Sequence, residues 1–200
     1  LPAILLSVLM CQIFWFAGIH GSLIVTGIMN PFWMANLSAN QAALAAGAAL
    51  PHVYLQGFWD HYLLIGGVGS TLPLAFLLLR SRVTHLRTIG KMGIVPSFFN
   101  INEPIIFGLP MVLNPLMMIP FIFVPVINSI IAYGLMAFHI VGKGIIETPW
   151  TTPAPLGAAL GCMDIKAGIM VVGLILLDMA LYYPFVKLLD KQKLEEENSK

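Results

Sequence analysis

Glu103 stands in Phe98-Phe99-Asn100-Ile101-Asn102-Glu103-Pro104-Ile105-Ile106-Phe107-Gly108, with no basic residue nearer in sequence than Lys91. An ionisable group in such apolar surroundings is costly at membrane depth and marks a functional site by default. Pro104 removes a backbone donor, while Asn100 and Asn102 supply side-chain amides where the chain must turn. Two roles suit Glu103. It can serve a function as an ionisable group at depth, or it can tie its own hairpin by accepting backbone N–H groups.

His20, in Trp15-Phe16-Ala17-Gly18-Ile19-His20-Gly21, can donate to or accept from a hydroxyl. The competing role is a satisfied core histidine. On a regular helix Trp15 and His20 would point roughly 140° apart, so they share a cavity only if the helix distorts near Gly18. Trp150 lies in Glu147-Thr148-Pro149-Trp150-Thr151-Thr152-Pro153-Ala154-Pro155, too proline-rich for a helix. Its ring suits the apolar face of a sugar, and hydroxyls such as that of Thr151 suit the sugar's equatorial groups. A belt tryptophan at the membrane interface is the alternative, and Trp33 and Trp59 fit that belt better.

Other candidates carry less. His52, His61, His85 and His139 lack metal-like spacing to carboxylates or thiols, so neither a metal nor a cofactor is expected. Gly66-Gly67-Val68-Gly69-Ser70-Thr71 lacks the lysine of a phosphate loop and reads as helix packing. Cys11 and Cys162 read as small buried hydrophobes, and Asp164 and Lys166 as a mutual pair near the outer surface. No serine, histidine and acid cluster suggests a hydrolase.

The elements that must position these residues are membrane elements. Hydrophobic residues make up 58% of the chain and charged ones 10%, against about 25% for an average soluble domain. Before Arg80 there is no lysine or arginine and one acid, Asp60. With a net charge of +1 no nucleic-acid footprint is expected. The opening run has no basic n-region or cleavage site, so it is not expected to be a signal peptide, and the chain reads as a piece of something longer.

Stretches of roughly 20 apolar residues, long enough to span, run from Ala3 to Met29, Tyr62 to Leu79, Met118 to Val141 and Ala167 to Leu188. The proline-broken segments Gly93 to Leu116 and Gly142 to Gly161 read as re-entrant hairpins lining a cavity. Asn30 to Asp60 reads as an amphipathic helix at the outer interface or packed on the bundle. Arg80, Arg82, Arg87 and Lys91 form one basic cluster, and Lys187, Lys191, Lys193 and Lys200 another, so both are expected in the cytoplasm. Parity then has the first hairpin open from inside and the second from outside.

The run Phe99 to Gly108, with Asn114-Pro115 and Pro120-Phe121 after it, resembles the signature hairpin of phosphotransferase-system C components of the lactose, cellobiose and diacetylchitobiose group. Trp15 to Gly21 and Pro149-Trp150-Thr151-Thr152-Pro153 resemble two further segments of that group. The run Gly161-Cys162-Met163-Asp164-Ile165-Lys166 departs from its glycine-rich version bearing tryptophan and arginine.

The resemblance implies the C-terminal half of a subunit, an all-α membrane protein with about four transmembrane helices, two re-entrant hairpins and an interfacial amphipathic helix. Residues 1–189 would form the membrane-embedded sugar-binding domain and residues 190–200 a charged cytoplasmic tail. It implies a permease for a β-linked disaccharide in the bacterial cytoplasmic membrane, surrounded by lipid. Soluble A and B components would be its partners, and a homodimer would form through an N-terminal half absent here. Glu103 and His20 match the acid and histidine near the sugar's 6-hydroxyl, and Trp15 and Trp150 match aromatics around it. Asn102 and Asn100 belong to the same hairpin motif. The chain would be part of a phosphotransferase complex without being catalytic alone. Rival classes are an ion-coupled secondary sugar transporter, where Glu103 and His20 shuttle protons, and an intramembrane enzyme acting on a lipid-linked sugar.

Overall fold

Prolines, glycines and buried amides decide where these helices stop. In the computed structural model, residues 1–109, 111 and 114–198 are described, and all regular structure among them is helical. Helix α1 (Pro2–Phe16) opens with proline at its start and ends at Ala17. Gly18 takes φ 80°, a conformation open to glycine without penalty, and α2 (Gly21–Ala45) then starts with His20 as its N-cap. The expected span Ala3 to Met29 is therefore two helices. A Cβ on Gly21 would lie 2.3 Å from the Cys11 carbonyl oxygen, so α2 begins against the side of α1.

Helix α2 continues through Pro31 to Ala45, so the expected amphipathic helix is a continuation of α2 followed by a non-helical loop over residues 46–55. Asn36 and Asn40 turn inward, while Ser38 stays exposed. The wholly buried Asn40 accepts from His52 N at 2.9 Å and donates to the His52 and Gly144 carbonyls at 2.8 Å each. Each bond satisfies backbone that no helix can pair.

Helix α3 (Gln56–Phe58) runs into a π-helical turn (Trp59–Leu63), which is followed by an irregular turn over residues 64–71 and α4 (Leu72–Leu78). The expected span Tyr62 to Leu79 is thus broken in its first half. Gly66, Gly67, Gly69 and Ser70 all have positive φ, so the glycines serve a turn and not helix packing. Trp33 and Trp59 do not form an interfacial belt either. Both are buried, 5.7 Å apart between centroids, with Tyr54 edge-on to Trp33. Mutual packing removes more aromatic surface from solvent than an interfacial position would.

Helix α5 (Thr84–Phe98) and α6 (Glu103–Gly108) form a hairpin. Gly93 faces Ile105 and Gly108 faces Ile89, so α6 runs back along α5. Residues 142–153 descend irregularly, and α8 (Ala154–Cys162) returns beside them, its Gly161 carbonyl accepting from Ile145 N and Ile146 N at 2.8 and 3.0 Å. Asp164 accepts from the backbone of Gly142 and Lys166, not from the Lys166 ammonium. Those N–H groups hold its carboxyl below the usual carboxylate range. Cys11 and Cys162 are buried free thiols.

Helices α7 (Pro115–Ala137) and α9 (Ile165–Asn198) are long and apolar enough to cross a membrane. The runs expected from Met118 and from Ala167 lie on them. Ile165, Ile169, Val172, Leu176 and Tyr183 of α9 are exposed at spacings of three, four and seven, one apolar stripe facing outward as lipid contact requires. The other side of α9 packs on α4, α7 and α8. At one end Ser81 donates to Asp190, and Arg80 and Arg82 of the first basic cluster line one groove with Lys187 and Lys191 of the second, whose Lys200 lies outside the described residues.

A Cβ on Gly67 would sit 2.3 Å from Asn102 Cγ, at φ 102°. Gly67→Ala in the full-length subunit is expected to cost about 1–3 kcal/mol through overpacking, read as a lower Tm in detergent. Gly27→Ala, with nothing within 4 Å, serves as the control and should leave Tm unchanged or slightly raised.

Candidate functional site

The reversal between α5 and α6 turns on Asn100, which sits at φ 61°, a left-handed conformation that asparagine tolerates better than other side-chain-bearing residues. Its amide bonds at both ends. Oδ1 accepts from Gly66 N at 2.9 Å, and Nδ2 donates to the carbonyls of Trp150 at 2.6 Å and Thr152 at 3.0 Å. One buried side chain therefore joins three pieces of non-helical backbone: the glycine turn, the α5–α6 hairpin tip and the Trp150 loop. The tips of the two broken segments meet here.

Asn102 secures the other side of the glycine turn, donating through Nδ2 to Val68 O and Thr71 Oγ1 at 2.7 Å each. The resemblance offered both asparagines, as members of the hairpin motif, as candidate sugar-binding residues. Their amide donors are instead committed to protein partners, so they position the hairpin, and a ligand would not find those donors free.

Glu103 follows as the first residue of α6 and is exposed. Among the described residues no hydrogen bond or ion pair reaches its carboxylate, so it does not tie the hairpin. The asparagines do that work, which leaves an acceptor of two oxygens beside the junction, at the favourable end of a short helix.

Trp150 is half exposed, with its backbone held and its ring left open to contact, and Thr151 beside it is partly buried. The break at Gly18 brings Trp15 and His20 together: their rings lie 4.3 Å apart between centroids, tilted by 52°. Trp15 is buried and donates from Nε1 to Ser22 Oγ at 3.0 Å. His20 is exposed, its Nδ1 accepting from Leu23 N at 3.4 Å. That bond leaves Nε2 as the nitrogen carrying the proton in the neutral ring, and so a donor. Among the described residues no hydrogen bond or ion pair joins His20 to Glu103, so the two remain separate groups of one donor and one acceptor.

Three features were missed from sequence. The glycine turn at residues 64–71 was hidden inside an apolar run, although three glycines beside Ser70 and Thr71 were its signal. His61 belongs to the π-helical turn and shares a 2.7 Å hydrogen bond with Thr148, pinning the Trp150 loop from its other end. Asn40 anchors the same loop at Gly144, and only the fold reveals that contact across 104 residues.

If Asn100 is the tie, Asn100→Asp keeps the acceptor for Gly66 N but sets a second acceptor against two carbonyls. Amide hydrogen exchange at residues 150–152 is then expected to quicken about tenfold, while α9 is unchanged. Equal exchange in the two proteins would contradict the tie.

Known proteins share this sequence pattern and this fold. The family model for the phosphotransferase system EIIC matches residues 1–125. The lichenan permease IIC component of Bacillus subtilis (strain 168) is 40% identical over 190 residues, covering 94% of this chain and 42% of that protein. The cellobiose-specific EIIC component of Geobacillus stearothermophilus is 40% identical over 200 residues, covering 98% of this chain and 44% of that protein. The crystal structure of the transporter ChbC, the IIC component of the N,N'-diacetylchitobiose-specific phosphotransferase system, superimposes with a TM-score of 0.93 at 37% identity, covering 98% of this chain and 46% of that one. The chain spans less than half the length of each. It belongs to the phosphotransferase system EIIC family.

Proposed function

We propose that this chain is the sugar-binding and transport domain of a phosphotransferase-system permease for a β-linked disaccharide. The carrying observation is the exposed Glu103 carboxylate, unpartnered among the described residues, on a hairpin that Asn100 holds against the Trp150 loop. In this reading the sugar stacks on Trp150 and rests near the Trp15–His20 pair. Thr151 lies in the same turn as Trp150. The 6-hydroxyl lies between Glu103 and His20. The relatives whose names specify cellobiose, lichenan and N,N'-diacetylchitobiose are what point to β-linked sugars.

Phosphoryl transfer then needs little from this chain. A phosphocysteine on the B component gives its phosphoryl group to O6: the sulfur–phosphorus bond breaks, the oxygen–phosphorus bond forms, and the hydroxyl proton passes to Glu103. His20 Nε2–H steadies the oxygen. The charged product no longer fits an apolar path back, which makes uptake one-way. The proximity of the two basic clusters supports placing both, and the C-terminus, in the cytoplasm where the B component acts. The hairpins would then dip into the bilayer from opposite faces, residues 1–189 would form the embedded domain, and the homodimer would be made by the other half of the subunit.

In the full-length subunit with its soluble partners, Glu103→Gln is expected to lower sugar phosphorylation about a hundredfold or more while weakening binding less. Normal phosphorylation by that variant removes the base role. Uptake that continues without the soluble components and collapses with the proton gradient would instead establish an ion-coupled transporter.

A further inference from the structure

Asp178 is wholly buried in the middle of α9, between Leu177 and Met179, and the site described above does not use it. Its Oδ2 accepts from Asn128 Nδ2 at 2.9 Å, and its Oδ1 has no partner among the described residues. Asn128, wholly buried on α7, also donates to Ser70 Oγ at 3.2 Å, and its own Oδ1 is unpartnered. Ser70 donates to Leu63 O at 2.9 Å. One turn along α9, the Tyr182 hydroxyl donates to Gly69 O at 2.5 Å. Two helices thus grip two consecutive residues of the glycine turn.

The opposite side of that turn is gripped by the hairpin that presents Glu103, through Asn102 at Val68 and Thr71 and Asn100 at Gly66. A continuous hydrogen-bonded path therefore runs from Asp178 through Asn128, Ser70 and the turn to the residues beside Glu103. Stability alone is a poor reason for it. Two buried oxygens without donors cost more than one interhelical hydrogen bond returns in a membrane, and well-packed apolar side chains would hold α7 to α9 without either. Asp178, Asn128 and Ser70 are covered within this chain itself.

We propose that Asp178 is a positioning residue for the sugar site, holding the turn over residues 66–71 through Asn128 and Ser70 and thereby the hairpin that presents Glu103. This rests on the sugar-site reading above. It predicts that polarity at position 178 is felt in ligand affinity as well as in folding.

The test measures binding of cellobiose, lactose and N,N'-diacetylchitobiose to the full-length subunit by calorimetry, with Tm recorded for each variant. Asp178→Leu is expected to weaken binding of the preferred sugar about tenfold in folded protein. Asp178→Asn, whose amide oxygen still accepts from Asn128, should bring affinity back to within about threefold of the unmodified subunit. Ser70→Ala, which cuts the path with a smaller change, should weaken binding in the same direction and decides the matter should Asp178→Leu fail to fold. A purely structural network would lower Tm and leave Kd alone in both variants, which overturns the proposal while the sugar site stands. No binding of any of these sugars by the unmodified subunit would overturn both.

Discussion

Backbone that is not helical has no water to turn to inside a bilayer, and this fold depends on side-chain amides taking water's place. Asn100 shows the rule most fully, since its one amide satisfies a backbone N–H and two backbone carbonyls from segments far apart in sequence. Asn40 does the same for the loops near His52 and Gly144, and Asn102 for the far side of the glycine turn. Asparagine suits this work because it donates twice and accepts at the other end without charge. A carboxylate in its place would only accept.

This division of labour explains why the acid can be functional. Glu103 sits within three residues of Asn100, yet among the described residues its oxygens satisfy no backbone group. If Glu103 held the hairpin, taking a proton there would loosen the same turn that must hold a ligand still. Under the role proposed for Glu103, structural bonding by neutral amides keeps those demands separate.

Helix breaks serve the site in a second way. A regular helix would send Trp15 and His20 to different sides, and the turn at Gly18 sets their rings 4.3 Å apart. The π-helical turn at residues 59–63 similarly places His61 where Thr148 can bond it, fixing the start of the segment that carries Trp150. Trp150 is carried by a loop, His20 and Glu103 stand at helix starts and Trp15 near a helix end, while α7 and α9 supply the long apolar frame.

From sequence alone, charge distribution and apolar length establish a membrane protein and locate α7 and α9, because hydropathy over twenty residues is a property of local composition. The same reading isolates Glu103, His20, Trp15 and Trp150 as chemistry out of place in an apolar chain, and the need for distortion at Gly18 follows from helical geometry. Local pattern does not distinguish an apolar run that spans from one that folds back, so the break at residues 64–71 and the burial of Trp33 and Trp59 came only with the tertiary structure. The roles of Asn100 and Asn102 did as well. An amide in a turn can face a ligand or a backbone, and which one it meets depends on segments 34 to 52 residues away brought together by packing.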